Sequence, residues 1–206
     1  VLSHKYIGSI RYSTLLMGAL LGSEVDSVSI PISGGCSSFG DRPIDIHLSG
    51  FESLGYSVKT TNTFIKIERT NLVNKSVNLN LRFASVGATI NLVMAALGRS
   101  GDTVISNIAK EPEVSNLIAY LSERTNRISL GNDFVKVYGL SEENIKEDLN
   151  EVSWPVMPDR IEAVSYIILG ALASGCEINN ISGLDLTGVE NVLKAMGINY
   201  NFNKEK

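Results

Sequence analysis

VGATINLVMAAL, residues 86–97, is a helix-length run that is apolar on nearly every side, and it decides the fold. A helix with one apolar stripe lies on a surface, whereas one that is apolar around its circumference is enclosed. Two other stretches resemble it, YSTLLMGALL at 12–21 and IEAVSYIILGALA at 161–173. Each ends on a small-small-Leu step: Gly18-Ala19-Leu20, Ala95-Ala96-Leu97 and Gly170-Ala171-Leu172, spaced 77 and 75 residues apart. Recurrence at a fixed period marks a repeated supersecondary unit that buries its apolar face against its neighbours. Three such helices packed about a shared axis, with sheets outside them, are the expectation.

The flanking segments repeat as well. A β-rich run follows each helix, at 26–32, 102–108 and 177–181. An amphipathic helix comes next, at 44–54, 113–123 and 186–196; the first and third end at Gly55 and Gly197, where a helix terminus favours a residue tolerant of positive φ. Alternating strands close the first two copies, 56–60 with 64–68 and 127–130 with 134–138, around turns at Asn62 and Asn132-Asp133. The fold class is therefore α/β, built from repeated β-α-β-α-β-β units. Residues 1–150 hold two units, and 151–206 a third that stops before its last strand.

From its small-small-Leu step to the end of its second helix, the first copy spans 37 residues and the third only 27. The excess falls at 31–43, PISGGCSSFGDRP, where three glycines and three serines make a turn-rich loop. Long loops grafted onto a repeated scaffold are commonly functional, although a tolerated surface insertion has the same length signature. Here the loop carries chemistry. Cys36 follows two glycines, so its thiol can be exposed while the backbone approaches a ligand. Arg42 offers a rigid fork of donors for phosphate or carboxylate, and its charge favours a thiolate. The helix after Pro43 points its positive end at the same region. The combination suits an anionic, phosphate-bearing substrate.

Plainer readings stay open. Cys36 could be a small core filler. Arg42 could pair with Asp41 or Asp45 on the surface, and His47 could cap its helix or face solvent. Cys176, where the third copy turns from helix to strand, reads as structural. A hydrolase dyad of Cys36 with His47 is conceivable. Other reaction classes fail on spacing: there is no Gly-x-Ser-x-Gly, no phosphate loop ending in Gly-Lys-Ser/Thr and no His-Glu-x-x-His. Two histidines and two distant cysteines argue against a metal site, and no cofactor is expected.

Composition narrows the partners. Apolar residues at 44% and charged residues at 19% describe a chain that can bury a core. A net charge of −4, without any run of five basic residues, argues against nucleic acid. Polar residues interrupt every apolar run before the roughly 18 residues a membrane span needs, and no secretory signal is visible. A disulfide framework is not expected, and a reducing cytoplasm is the expected location. The chain opens Val-Leu-Ser, which suggests a piece of something longer.

At these residues the sequence resembles the UDP-N-acetylglucosamine 1-carboxyvinyltransferase family. The resemblance is carried by Gly34-Gly35-Cys36, by Gly40-x-Arg42-Pro43-Ile44-Asp45-x-His47 and by Gly50-Phe51-Glu52-x-Leu54-Gly55. It continues in Ser85-Val86-Gly87-Ala88-Thr89, in Asn107-x-Ala109-Lys110-Glu111-Pro112-Glu113-Val114 and in Pro158-Asp159-Arg160-Ile161-Glu162-Ala163, so it spans nearly the whole chain. It implies an inside-out α/β barrel of two lobes, with substrates between them. The implied activity is transfer of the enolpyruvyl group of phosphoenolpyruvate to the 3-hydroxyl of UDP-N-acetylglucosamine, releasing phosphate, as the first committed step of peptidoglycan synthesis. The shikimate-pathway relative shares the repeats but lacks the Cys loop.

The resemblance also assigns roles. It implies that Cys36 is an acid toward the enol carbon that can form a covalent adduct, and that Arg42 contacts the phosphate of phosphoenolpyruvate. Pro43, Ile44, Asp45, Ile46 and His47, the turn Ser85-Val86-Gly87 and Arg11 are implied to hold the sugar nucleotide. Two departures stand out. The Cys loop is one residue longer than usual, and Phe83 occupies the place of a lysine, with Arg82 as the neighbouring cation. By the same resemblance the first unit and the last two are missing, so 151–206 would belong to the second lobe, and the remainder of a parent chain is a possible partner. The 206 residues alone are expected to turn over little or not at all. The alternative is a non-catalytic or degenerate sugar-nucleotide-binding relative.

Overall fold

The structure is a computed structural model that describes residues 4–23, 25–32, 44–141, 153–173 and 175–201. Cys36, Arg42 and Pro43 lie outside the described residues. Residues Val1–Glu151 form one unit and Val152–Lys206 a second.

In the first unit, α1 (His4–Ile7) leads to a 3-10 turn (Arg11–Leu15) and α2 (Leu16–Gly22). The helix expected over 12–21 thus begins as a tighter turn. The Thr14 hydroxyl donates to the Arg11 carbonyl at 2.8 Å, and the Ser13 N–H to the Ile10 carbonyl at 3.1 Å. Such hydroxyls compete with regular helical bonding. Strand β1 (Ser27–Pro31) follows, then α3 (Asp45–Ser53) and the hairpin of β2 (Tyr56–Thr60) and β3 (Phe64–Arg69). Gly55, at φ +90°, turns the chain from α3 into β2. The three strands pair antiparallel in the order β1-β3-β2.

The second copy repeats this arrangement. Strand β4 (Val77–Asn80) precedes α4 (Val86–Leu97), β5 (Thr103–Ser106), α5 (Pro112–Thr125), β6 (Ile128–Leu130) and β7 (Phe134–Val137). The sheet order is β4-β5-β7-β6, so β5-β7-β6 reproduces β1-β3-β2. Strand β4 pairs parallel to β5 through the α4 crossover, completing one β-α-β-α-β-β unit. Pro112 at the first position of α5 and Asn126, left-handed at φ 51°, mark its two ends.

Helix α4 is buried along its length, with Ala88, Leu92, Val93, Ala95 and Ala96 all fully enclosed. Its small residues permit a close approach to α2. A Cβ on Gly18 would lie 2.1 Å from the Asn91 carbonyl oxygen, and one on Gly98 would lie 2.1 Å from that of Leu21. Arg99, at the foot of α4, is also fully buried. Its Nε donates to the Leu54 carbonyl at 2.8 Å, its Nη2 to the Lys75 carbonyl at 2.6 Å, and its Nη1 to the Gly101 carbonyl and to Thr103 Oγ1. This guanidinium ties the end of α3 to the second sheet, and each carbonyl it serves would otherwise be a desolvated acceptor.

The second unit contains α6 (Arg160–Leu172) and α7 (Thr187–Ala195). Asp159 caps α6, accepting from the N–H groups of Ile161 at 2.7 Å and Glu162 at 3.3 Å. Residues 177–181, expected as a strand, form none among the described residues. A strand needs a neighbouring ladder, and the described residues of this unit provide none.

Candidate functional site

The residues singled out by the sequence and described in the structure gather at the N-terminal ends of α3 and α4. Helix α3 starts two residues after Pro43, so the Cys-Arg stretch feeds directly into it. Asp45 opens the helix: its Oδ1 accepts from the Ile46 N–H at 2.9 Å, and its Oδ2 pairs with the Arg82 guanidinium. Arg82, between β4 and α4, therefore stands beside the start of α3, while Phe83 next to it is 65% exposed. Ser85 caps α4, accepting from the Ala88 N–H at 3.3 Å. Both helices direct their positive ends to this corner, which favours an anion there. The side chains of Ile44, Ile46 and Val86 pack against the core, which leaves their backbone to meet a ligand.

His47 is buried, not solvent-facing, which corrects one of the open readings. Its ring lies against the first turn of α4: a Cβ on Gly87 would be 3.2 Å from Cε1 and 3.4 Å from Nε2. Its Nδ1 is 2.9 Å from Nδ2 of Asn91, on the buried flank of α4. Burial pushes the imidazole pKa down to about 4; the charge of Arg11 adds to the effect, and Asp45 opposes it. The ring is therefore neutral at physiological pH.

Arg11, Asp45, His47, Arg82 and the turn Ser85-Val86-Gly87 thus belong to one region of the first unit, with opposed charges and a neutral imidazole. Asn91 was not foreseen as part of it. Its signal was visible, as a lone amide inside an apolar helix. Among the described residues no cluster of three His, Cys, Asp or Glu could hold a metal ion. Among the same described residues no helix is long and apolar enough to cross a membrane.

A cavity of about 870 Å³ lies in the second unit, lined by Ile167, Gly170, Cys176, Leu193 and Tyr200 among others. It separates α6 from α7, where the first two copies set their helices on a sheet. We read it as an uncovered packing face. Cys176 is exposed, and its thiol bonds the Tyr166 carbonyl at 3.4 Å.

The sequence matches the model of the family described as EPSP synthase (3-phosphoshikimate 1-carboxyvinyltransferase) over residues 2–206. The chain belongs to this family. Among curated relatives, it is 35% identical over 201 residues to UDP-N-acetylglucosamine 1-carboxyvinyltransferase 2 of Staphylococcus saprophyticus, covering 97% of this chain and 46% of the relative. It is 38% identical over 192 residues to UDP-N-acetylglucosamine 1-carboxyvinyltransferase of Halothermothrix orenii, covering 92% and 44%. The chain thus spans just under half the length of these relatives. Among solved structures, the enolpyruvyl transferase NikO from Streptomyces tendae is similar with a TM-score of 0.72 at 17% identity, covering 98% of this chain and 48% of that one. EPSP synthase from Acinetobacter baumannii follows with a TM-score of 0.57 at 18% identity, covering 91% and 41%. At these identities the structural likeness speaks for the fold, which is that of the enolpyruvyl transferases.

Proposed function

We propose that this chain carries the sugar-nucleotide and thiol side of an enzyme that transfers the enolpyruvyl group of phosphoenolpyruvate to the 3-hydroxyl of UDP-N-acetylglucosamine. The observation that carries the proposal is the convergence of the α3 and α4 N-termini with Arg11, His47 and Arg82, where α3 begins immediately downstream of Cys36 and Arg42 in the chain. Backbone N–H groups at two helix starts, with cations nearby, suit a diphosphate. In the proposed reaction the sugar 3-hydroxyl oxygen bonds the phosphate-bearing carbon and gives up its proton to a base or to solvent, while Cys36 supplies a proton to the neighbouring carbon. That carbon then returns a proton to the Cys36 thiolate, which re-forms the double bond as the carbon–oxygen bond to phosphate breaks and phosphate leaves against Arg42. Pro43, Ile44 and Ile46 offer main-chain contacts, Ser85, Val86 and Gly87 the first turn of α4, and Arg82 stands near the place of the lysine replaced by Phe83.

Residues 151–206 are assigned to a second lobe of that enzyme, in the cytoplasm, in peptidoglycan synthesis. Because the chain covers less than half of its relatives, we assign turnover to the parent assembly and binding to this chain. A phosphonate epoxide, read by mass spectrometry on the folded chain, tests the thiol. Cys36 labels at least tenfold faster than Cys176, and UDP-N-acetylglucosamine changes the rate at Cys36 alone. Equal labelling of both thiols refutes the site. A second reading, binding without turnover in any assembly, is favoured by Phe83 and predicts sugar-nucleotide binding with no labelling preference.

A further inference from the structure

Asn91 is fully buried in the middle of α4, yet every polar atom of its side chain has a partner. Its Oδ1 accepts from the backbone N–H of Gly18 at 2.6 Å. Its Nδ2 donates to the backbone carbonyl of Thr14 at 3.0 Å. Both partners are main-chain groups with fixed roles, so the amide can sit only one way round. The second Nδ2 hydrogen is then left for His47 Nδ1, 2.9 Å away. A nitrogen that accepts a hydrogen bond carries no proton, so the proton of the neutral ring is on Nε2, the atom beside Gly87.

We propose that Asn91 is a positioning residue that locks His47 as an Nε2–H donor aimed at the start of α4. The donor supplements the helix N–H groups there and has no lone pair to offer a ligand. The role toward a diphosphate rests on the function proposed above; the tautomer does not. The lock also disfavours a hydrolase dyad. A base for Cys36 would need an available ring lone pair, and the only one is bonded to Asn91 inside the protein.

The charges acting on the ring are Arg11 from the 3-10 turn and Asp45 from the ring's own helix, and Asp45 is itself paired with Arg82 from the stretch before α4. Replacing the amide donor by a carboxylate adds a charge that favours the protonated ring, so Asn91→Asp reverses the lock.

With two histidines in the chain, long-range proton–nitrogen spectra of the 15N-labelled protein resolve both rings. The wild-type spectrum is expected to show one histidine as a single Nε2–H tautomer, unchanged between pH 7.5 and 5. Asn91→Asp raises the proton affinity of that ring at least tenfold and moves its proton to Nδ1. A wild-type ring that is Nδ1–H, that mixes tautomers, or that titrates as a free imidazole overturns the proposal, even if the variant does not fold. Titration with UDP separates the two claims. A locked ring that UDP leaves unmoved counts against the sugar-nucleotide reading, and an unlocked ring that UDP shifts counts against the lock.

Discussion

Helices α4 and α6 carry the same small-small-Leu ending and similar apolar content, yet they have opposite surroundings. In α4 the residues Ala88, Leu92, Val93, Ala95 and Ala96 are fully enclosed, while in α6 only Ala163 is buried and Leu169 is 56% exposed. A sequence pattern thus specifies which face a helix can bury, not whether a neighbour is there to bury it. The first unit supplies that neighbour in α2, at a distance only glycine permits. The second unit has no described sheet for α6 and α7 to rest on.

Single substitutions measure the difference. Leu92→Ala removes a buried side chain and leaves a cavity, at a cost of about 3 kcal/mol in urea denaturation. Leu169→Ala, on the exposed counterpart, costs less than about 0.5 kcal/mol in the same chain. Equal costs would show that α6 is enclosed in solution and erase the contrast.

A smaller effect probes the corner of α3 and α4. His47 is neutral when folded, with its pKa pushed down to about 4, while an unfolded imidazole titrates near 6.5. The unfolded state therefore binds more protons between these values, so stability is complete above about 6.5 and falls as pH drops toward 4. Acidification from pH 7.5 to 5 costs about 2 kcal/mol through this ring, and His47→Gln flattens that slope. A slope unchanged in the variant would remove His47 from the account.

Much of this was legible in the sequence. The bounds of α4 were readable to the residue, because Ser85 is a natural cap and an apolar run of that length has few alternatives. The hairpins followed from alternation and turn residues. Strand β4 escaped notice because VNLN is short and half polar, and it is defined by its parallel partner β5. The burial of His47 was illegible for a similar reason. Nothing local on α3 announces that an amide on α4 reaches its Nδ1. Arg99 is the extreme case, a charged residue whose burial depends on carbonyls from three separate segments.

Calorimetric titration of the 206-residue chain with UDP-N-acetylglucosamine tests the central claim most directly. Saturable binding at one site, weakened roughly tenfold by Arg11→Ala, is the predicted result. No saturable binding, or an affinity indifferent to Arg11→Ala and His47→Gln alike, would contradict it.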